Sequence, residues 1–459
     1  MRDSAERLVT SIRNSQMLRL LGVLFLVLLL QIPVAMIGGL VRERQQRRDG
    51  AVAEVASKWG QRQSLTGPAL VLPYEHRWTE TTSDGRQIVR AQTRNAFVLP
   101  ESLRLHGTLD SEVRTRGIFS VPVYRLALAV EGTFAPPPLA ELGIAPSLVH
   151  WDRAYLAMGI SDARAIQEGA TLVWNDRRVD FLPGTRGFTD GGNGIHAPVA
   201  IADPTRPASF SFPLVLNGSL RLDMVPFGRT TVVELEGDHG HPSFQGNWLP
   251  AERTVTDERF DASWNISFLG RSYPQSWTSD TEMRGPIEMS RFGVELVDPV
   301  DHYRMAERSV KYAGLFILLT FATVWLIEVL AGVRVHPIQY LLLGGALALF
   351  YLLELSLSEH LGFPLAYVLA SVAVIAMVGA YGLVALRRPT RAMVVAAGVT
   401  VLYGYLYLLL MNEDYALLIG SVGLFAILGA IMYATRRVDW YAGSARTVEP
   451  PVEPPRATG

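Results

Sequence analysis

Glu354 stands in "FYLLELSLSEH", residues 350–360, inside a run of leucine, alanine and glycine. A charged side chain near the centre of a membrane helix costs about 2.5–3.5 kcal/mol on insertion scales, and less near the interface, so intramembrane carboxyls mark ion paths or buried pairs. The run ends soon after Glu354, so the expected behaviour is a carboxyl that is protonated or reaches toward the surface. Ser358, Glu359 and His360 close the same stretch. A Glu–His neighbour pair can hold a metal, relay a proton or anchor a contact. Metal sites normally take three or four ligands, so a contact at the interface is the better reading. Glu328 lies near the end of the preceding apolar run, with Arg334 as a nearby partner. "HPIQY" opens the Glu354 run: His336 and Pro337 suit a helix entry, with Gln339 in the first turn.

Other chemistry is sparsely represented. His239 and His241 in "GDHGHPSF" would share one face of a strand, but the turn residues around them read as a loop. There is no G-x-S-x-G, H-E-x-x-H or G-x-x-x-x-G-K-[ST] pattern. "DGGNGIH", residues 190–196, lacks the strand-to-helix setting of a dinucleotide site. Cysteine is absent, which removes disulfides, thiolate metal sites and cysteine nucleophiles. With a net charge of -1 and no basic patch, nucleic acid is not an expected partner. No metal or cofactor is expected either.

The elements that must position these residues are apolar segments long enough to cross a hydrocarbon core about 30 Å thick. Six are legible: Leu18 to Val41, Tyr312 to Val333, Ile338 to Leu357, Phe363 to Leu386, Met393 to Met411 and Tyr415 to Ala434. Arginine and lysine are retained on the cytoplasmic side. Arg334, Arg387, Arg388, Arg391, Arg436 and Arg437 fall between or after alternate spans, whereas "SEHLG" and "NED" carry no arginine or lysine. That alternation predicts cytoplasmic termini, with His360 and Asp414 facing outward. The first span has arginines on both flanks and takes its orientation from the others. Its apolar core exceeds the roughly 7–15 residues of a signal-peptide core, so it reads as an anchor.

The expected organisation is a cytoplasmic N-terminus (1–17), a first span (18–41), a large periplasmic domain (42–310), a five-helix bundle (311–435) and a disordered, proline-rich cytoplasmic tail (436–459). In "RRDGAVAEVASKWG", Val52, Val55, Ala56 and Trp59 recur at helical spacing, as in a helix leaving the membrane and packing on the domain. Beyond it the period changes to two. Tyr124, Leu126, Leu128 and Val130 share one side, as do Phe210, Phe212, Leu214 and Leu216; "RTTVVELEGD" and "RFGVELVDPV" follow suit. One helix is expected at "SDARAIQEG", capped by Ser161. "LRLHGTL" from Leu103 and "LVLNGSL" from Leu214 share L-x-L-x-G-[ST]-L; as a duplication, the echo would make two related β-lobes.

"SLTGPALVLPY", "TRGIFSVPVY", "HPSFQGNWLP", "RSVKYAGLFILLTF", "HPIQYLLLG", "FYLLELSLSEH", "NEDYALLIGS" and "RRVDWYA" stand in order along the chain. Together they resemble the CreD family of bacterial inner-membrane proteins, over Leu18 to Ala442. The apolar runs and period-two segments above give six membrane helices and a β-rich (α+β) periplasmic domain; the resemblance implies an inner-membrane protein linked to cell-envelope integrity. It also implies, in some bacteria, the output of a two-component system and altered colicin tolerance. It carries no catalytic activity to transfer, and it places leucine more often than glutamate at the position of Glu354.

The reading is therefore a non-enzymatic envelope-integrity protein whose periplasmic domain recognises an envelope component or protein partner. The bilayer is its surroundings, and no feature specifies an oligomeric state. A second reading is a proton-coupled transporter or channel using Glu328 and Glu354. A third is an envelope hydrolase built on Glu359, His360, His239 and His241.

Overall fold

The computed structural model describes residues 16–81, 83–84, 86–297, 301–331, 335–386 and 388–436. Arg334, Arg387, Arg437 and the proline-rich tail lie outside the described residues. Contacts divide the chain into two compact units, Arg48–Pro299 and Met1–Arg47 with Val300–Gly459.

The second of these contains the apolar helices. We label them α1 (Gln16–Trp59, its residues from Arg48 belonging to the other unit), α2 (His302–Ala331), α3 (Pro337–Leu361), α4 (Phe363–Ala385), α5 (Pro389–Met411) and α6 (Ala416–Thr435). All six are long and apolar enough to cross a membrane. Proline opens α3, α4 and α5, where the first helical N–H has no partner to lose. Gly362, at φ 75°, makes the tight passage from α3 to α4 in a conformation a side chain would resist. The interior draws Val27, Leu30, Val34 and Ile37 of α1 together with Phe316, Phe321, Leu347, Phe350, Val374, Val399 and Leu406. By contrast, α6 buries no residue; Tyr405 Oη of α5 donates to its Ile419 carbonyl at 2.6 Å.

Close approach of α1 depends on glycine. A Cβ on Gly344 of α3 would lie 2.1 Å from Leu30 Cδ1 and 2.8 Å from Phe321 Cζ. Gly344→Val is therefore expected to destabilise the membrane unit by about 1–3 kcal/mol through overpacking. The thermal midpoint of the full chain in detergent reads the loss.

The other unit is β-rich. One sheet runs in the order Glu252–Val255, Phe260–Ser267, Thr230–Gly237, Ser102–Arg116, Phe119–Phe134, Ala208–Ser219, Thr171–Trp174, Arg177–Asp180. The other is built around the long strand Gln63–Thr81, whose first half is buried and whose second half forms an exposed hairpin with the strand Gln87–Val98. Period-two patterning is expressed as expected: Tyr124, Leu126, Leu128 and Val130 are buried, and so are Phe210, Phe212, Leu214 and Leu216. Residues of both sheets join a single hydrophobic core. At one end of it Trp264, from the first sheet, packs edge-on to Phe244 and tilted against Phe292 of the second, with ring centroids 5.8 and 5.5 Å away.

Two sequence expectations resolve differently here. The L-x-L-x-G-[ST]-L segments do not head separate lobes. Leu103–Leu109 and Leu214–Leu220 flank the same strand, Phe119–Phe134, and the two strands that carry them pair antiparallel with it. The helix expected at "SDARAIQEG" is only a turn, Ala163–Ala165, and Ser161 does not cap it. Ser161 Oγ instead accepts from Ser64 N and donates to the Arg62 carbonyl, so the segment is held to the neighbouring strand. The last turns of α1 behave as read: the Trp59 indole donates to the Tyr124 carbonyl, and Arg114 lies 3.6 Å over its ring.

Asp162 gives this unit a pH dependence. Burial works to push its carboxyl up, but the Arg164 guanidinium at 2.9 Å and the Gln61 N–H outweigh it and hold it below the ordinary range. A depressed carboxyl stabilises the fold above its unfolded value of about 3.9 and loses that contribution as the pH falls through the lower, folded value. Asp162→Asn is expected to flatten the acid limb of the stability profile below about pH 4 while leaving its slope near neutrality unchanged. Denaturation of the full chain across acid pH measures it.

Candidate functional site

The sites singled out in the apolar helices separate into three polar clusters within the membrane unit. At one end, Glu328 of α2 accepts from Tyr340 Oη of α3 at 3.1 Å and pairs with Arg19 of α1 at 3.5 Å. Sequence proximity offers Arg334 as its partner; Arg334 is outside the described residues, and Arg19 comes from 309 positions away. Close by in sequence, His336 and Gln339 form a capping box at the start of α3. His336 Nδ1 accepts from Ile338 N at 3.3 Å, and Gln339 Oε1 accepts from His336 N at 3.0 Å. Their chemistry is spent on orphan backbone groups of the helix terminus.

At the other end of α3, Glu359 is the hub. Its side chain is 4% exposed and takes a two-pronged bond from Arg44 of α1, Nε at 2.8 Å and Nη2 at 2.6 Å. Tyr303 Oη of α2 adds a third donor at 2.9 Å. Two planar forks meeting face to face make the strongest common side-chain pairing. Ser358 Oγ donates to the Leu355 carbonyl, and His360 is exposed. Nearby in sequence to Tyr303, Arg308 donates to the Leu409 and Leu410 carbonyls at the end of α5 and pairs with Glu413 at 3.4 Å. A cation there complements the negative end of the helix dipole.

The third cluster lies between these. Glu354 is fully buried and turns inward, so of its two expected behaviours reaching the surface is not the one it adopts. Ser309 Oγ of α2 donates to its Oε2 at 2.7 Å. Nineteen residues of α2 separate Ser309 from Glu328, which at the helical rise is about 28 Å. The two intramembrane carboxyls thus have separate partners near opposite ends of one helix. The same arithmetic places Arg19 and Arg44 about 38 Å apart along α1, a little beyond the thickness of a hydrocarbon core. The first helix is tied to the bundle by one ion pair near each end of its apolar stretch.

In the β-rich unit His239 Nε2 lies 3.2 Å from the Val297 carbonyl, edge-on to His241 at 6.5 Å. Among the described residues no three His, Asp or Glu side chains gather to hold a metal. A concavity of about 570 Å³ in that unit is lined by Thr66, Trp277, Asp280, Arg284 and Glu288 among others. Thr66 and Trp277 belong to strands of the second sheet. The remaining three come from the segment after residue 278, whose composition shows no periodic signal.

The family model described as "Inner membrane protein CreD" matches residues 15–441, nearly the whole chain. The chain belongs to the CreD family. It is 33% identical over 419 residues to the inner membrane protein CreD of Escherichia coli (strain K12), covering 91% of this chain and 92% of that one. Family membership agrees with the six apolar helices and with the β-rich unit placed between the first and second of them. It makes the chain a multi-pass inner-membrane protein surrounded by lipid.

Sequence reading found Glu328, Glu354 and Glu359 but not Arg19, Arg44, Tyr303, Ser309 or Tyr340, which complete their clusters. The available signal for two of them was that Arg19 and Arg44 bracket the apolar run of the first helix.

Proposed function

We propose that this protein supports integrity of the cell envelope without enzymatic turnover, and that its β-rich unit faces the periplasm and recognises an envelope component or partner there. The observation that carries the reading is the 570 Å³ concavity, which combines an aromatic wall with carboxylates, arginines and hydroxyls. That lining suits a polar ligand bearing several hydrogen-bonding groups rather than a lipid tail. Orientation follows from the arginines at 387, 388, 391, 436 and 437, taken with the arginine-free "SEHLG" and "NED" turns. Tolerance of colicins and other envelope stress is the expected phenotype.

Photocrosslinkers placed at Asp280 and Arg284 in living cells test recognition directly. A discrete adduct, lost when Trp277 is changed to alanine, is the expected result. No adduct, together with unchanged sensitivity to detergents, antibiotics and colicins on gene deletion, would overturn the reading. A tag at Gly459 reachable from the periplasm would overturn the orientation. The transport alternative requires Glu328 and Glu354 to share a route; their partners are separate, and Ser309, which holds Glu354, stands about 28 Å from Glu328 along α2, which does not favour it.

A further inference from the structure

Three glutamates of the membrane unit are partly or wholly withdrawn from water, and two of them have arginines. Glu328 has Arg19 and Glu359 has Arg44. Glu354 is the most deeply buried of the three, and among the described residues no Arg, Lys or His pairs with it. Among the described residues its one hydrogen-bonded neighbour is Ser309, a neutral donor, and its second oxygen, Oε1, has no hydrogen-bond partner.

Two other buried oxygens of the same interior are orphaned as well: Ser371 Oγ of α4, 8% exposed, and Tyr403 Oη of α5, 4% exposed. They belong to one neighbourhood. Phe350, one helical turn before Glu354 on α3, has the rings of Tyr367 and Tyr403 at 5.3 and 4.3 Å, and Ser371 stands one turn beyond Tyr367 on the same face of α4. Tyr367 Oη in turn donates to the Tyr403 carbonyl at 2.6 Å. Four helices therefore contribute oxygens: Ser309 from α2, Glu354 from α3, Ser371 from α4 and Tyr403 from α5.

A buried charge without a partner costs several kcal/mol, and each orphan polar atom about 1–3 more. An interior that retains one carboxylate oxygen and two hydroxyl oxygens without hydrogen-bond partners is short of one positive charge and of donors or ligands for oxygen. Oxygen-only donor sets suit hard cations, and a single carboxylate balances a single charge. We propose that this interior is a binding site for a monovalent positive charge taken from solution, a proton or an alkali cation, held by Glu354 with Ser371 and Tyr403 as neutral oxygen neighbours. The site is a closed cation site rather than a step on a path to Glu328. It is independent of what the β-rich unit recognises.

A cation bound only by the folded protein raises stability by mass action. The test uses the purified full chain in nanodiscs of zwitterionic lipid. Its thermal midpoint is read in sodium, potassium and choline chloride at constant ionic strength, and in choline across alkaline to neutral pH. Wild type is expected to rise by several degrees either in sodium or potassium relative to choline, which identifies an alkali cation, or on lowering the pH in choline, which identifies a proton. E354Q is expected to lose that response while retaining the responses of other groups. E354L, which fills the same space with apolar atoms, serves as the second variant and should lose it too. A wild-type midpoint indifferent to both cation and pH, or an E354Q variant that keeps the full response, would overturn the proposal.

Discussion

Glu359→Ala is expected to loosen the first helix from its bundle at a cost of about 2–3 kcal/mol. Breaking a buried ion pair by removing one partner costs about 3–5 kcal/mol, and Arg44, 32% exposed, recovers part of its hydration, which lowers the figure. The substitution removes three charge-assisted bonds at once, because Arg44 supplies two and Tyr303 one. Arg44→Ala should cost at least as much as Glu359→Ala, since it leaves the Glu359 carboxylate, 4% exposed, without its counter-ion. The double variant should fall short of the sum by about 1–2 kcal/mol, the signature of direct coupling. The chain has no cysteine, so engineered pairs report helix docking cleanly. A Cβ on Gly38 would lie 3.4 Å from Val310 Cγ1, and a Gly38→Cys, Val310→Cys pair should oxidise readily in the wild-type background. Slower oxidation with Glu359→Ala is the expected readout. An unchanged rate and thermal midpoint would show that apolar packing alone holds α1.

Trp264→Ala should be costlier, at about 3–5 kcal/mol for loss of a large aromatic from a core. Trp264 is 1% exposed and its ring spans the gap between the sheets, reaching Phe244 and Phe292. Its indole also donates to the Trp248 carbonyl at 3.2 Å, which the substitution leaves without that donor. The damage belongs to the β-rich unit. In limited proteolysis of the full chain, cleavage within residues 48–299 should accelerate while the apolar helices stay resistant. Trp264→Phe, which keeps most of the aromatic contact but not the donor, should lose about 1–2 kcal/mol. Equal loss for both variants would assign the whole effect to the hydrogen bond.

The six apolar helices, the β-rich character of the segment between the first two and the helix entry at His336 were all legible along the chain. Each is a local property: length and apolarity for a span, period two for a strand, proline and a capping side chain for a helix start. Tyr124 to Val130 could be assigned an inward side because alternate residues differ in polarity. Within α3 no such contrast exists, since lipid-facing and core-facing positions are both apolar, and the direction taken by Glu354 could not be read. "SDARAIQEG" had helical composition, yet Ser161 bonds Ser64 of a neighbouring strand and Arg62 just before it instead of capping a helix. Tertiary structure alone chose the partners of the glutamates. Arg44 meets Glu359 across 315 positions and Arg19 meets Glu328 across 309. Ion pairing depends on through-space distance, and distance between remote segments exists only after the helices pack.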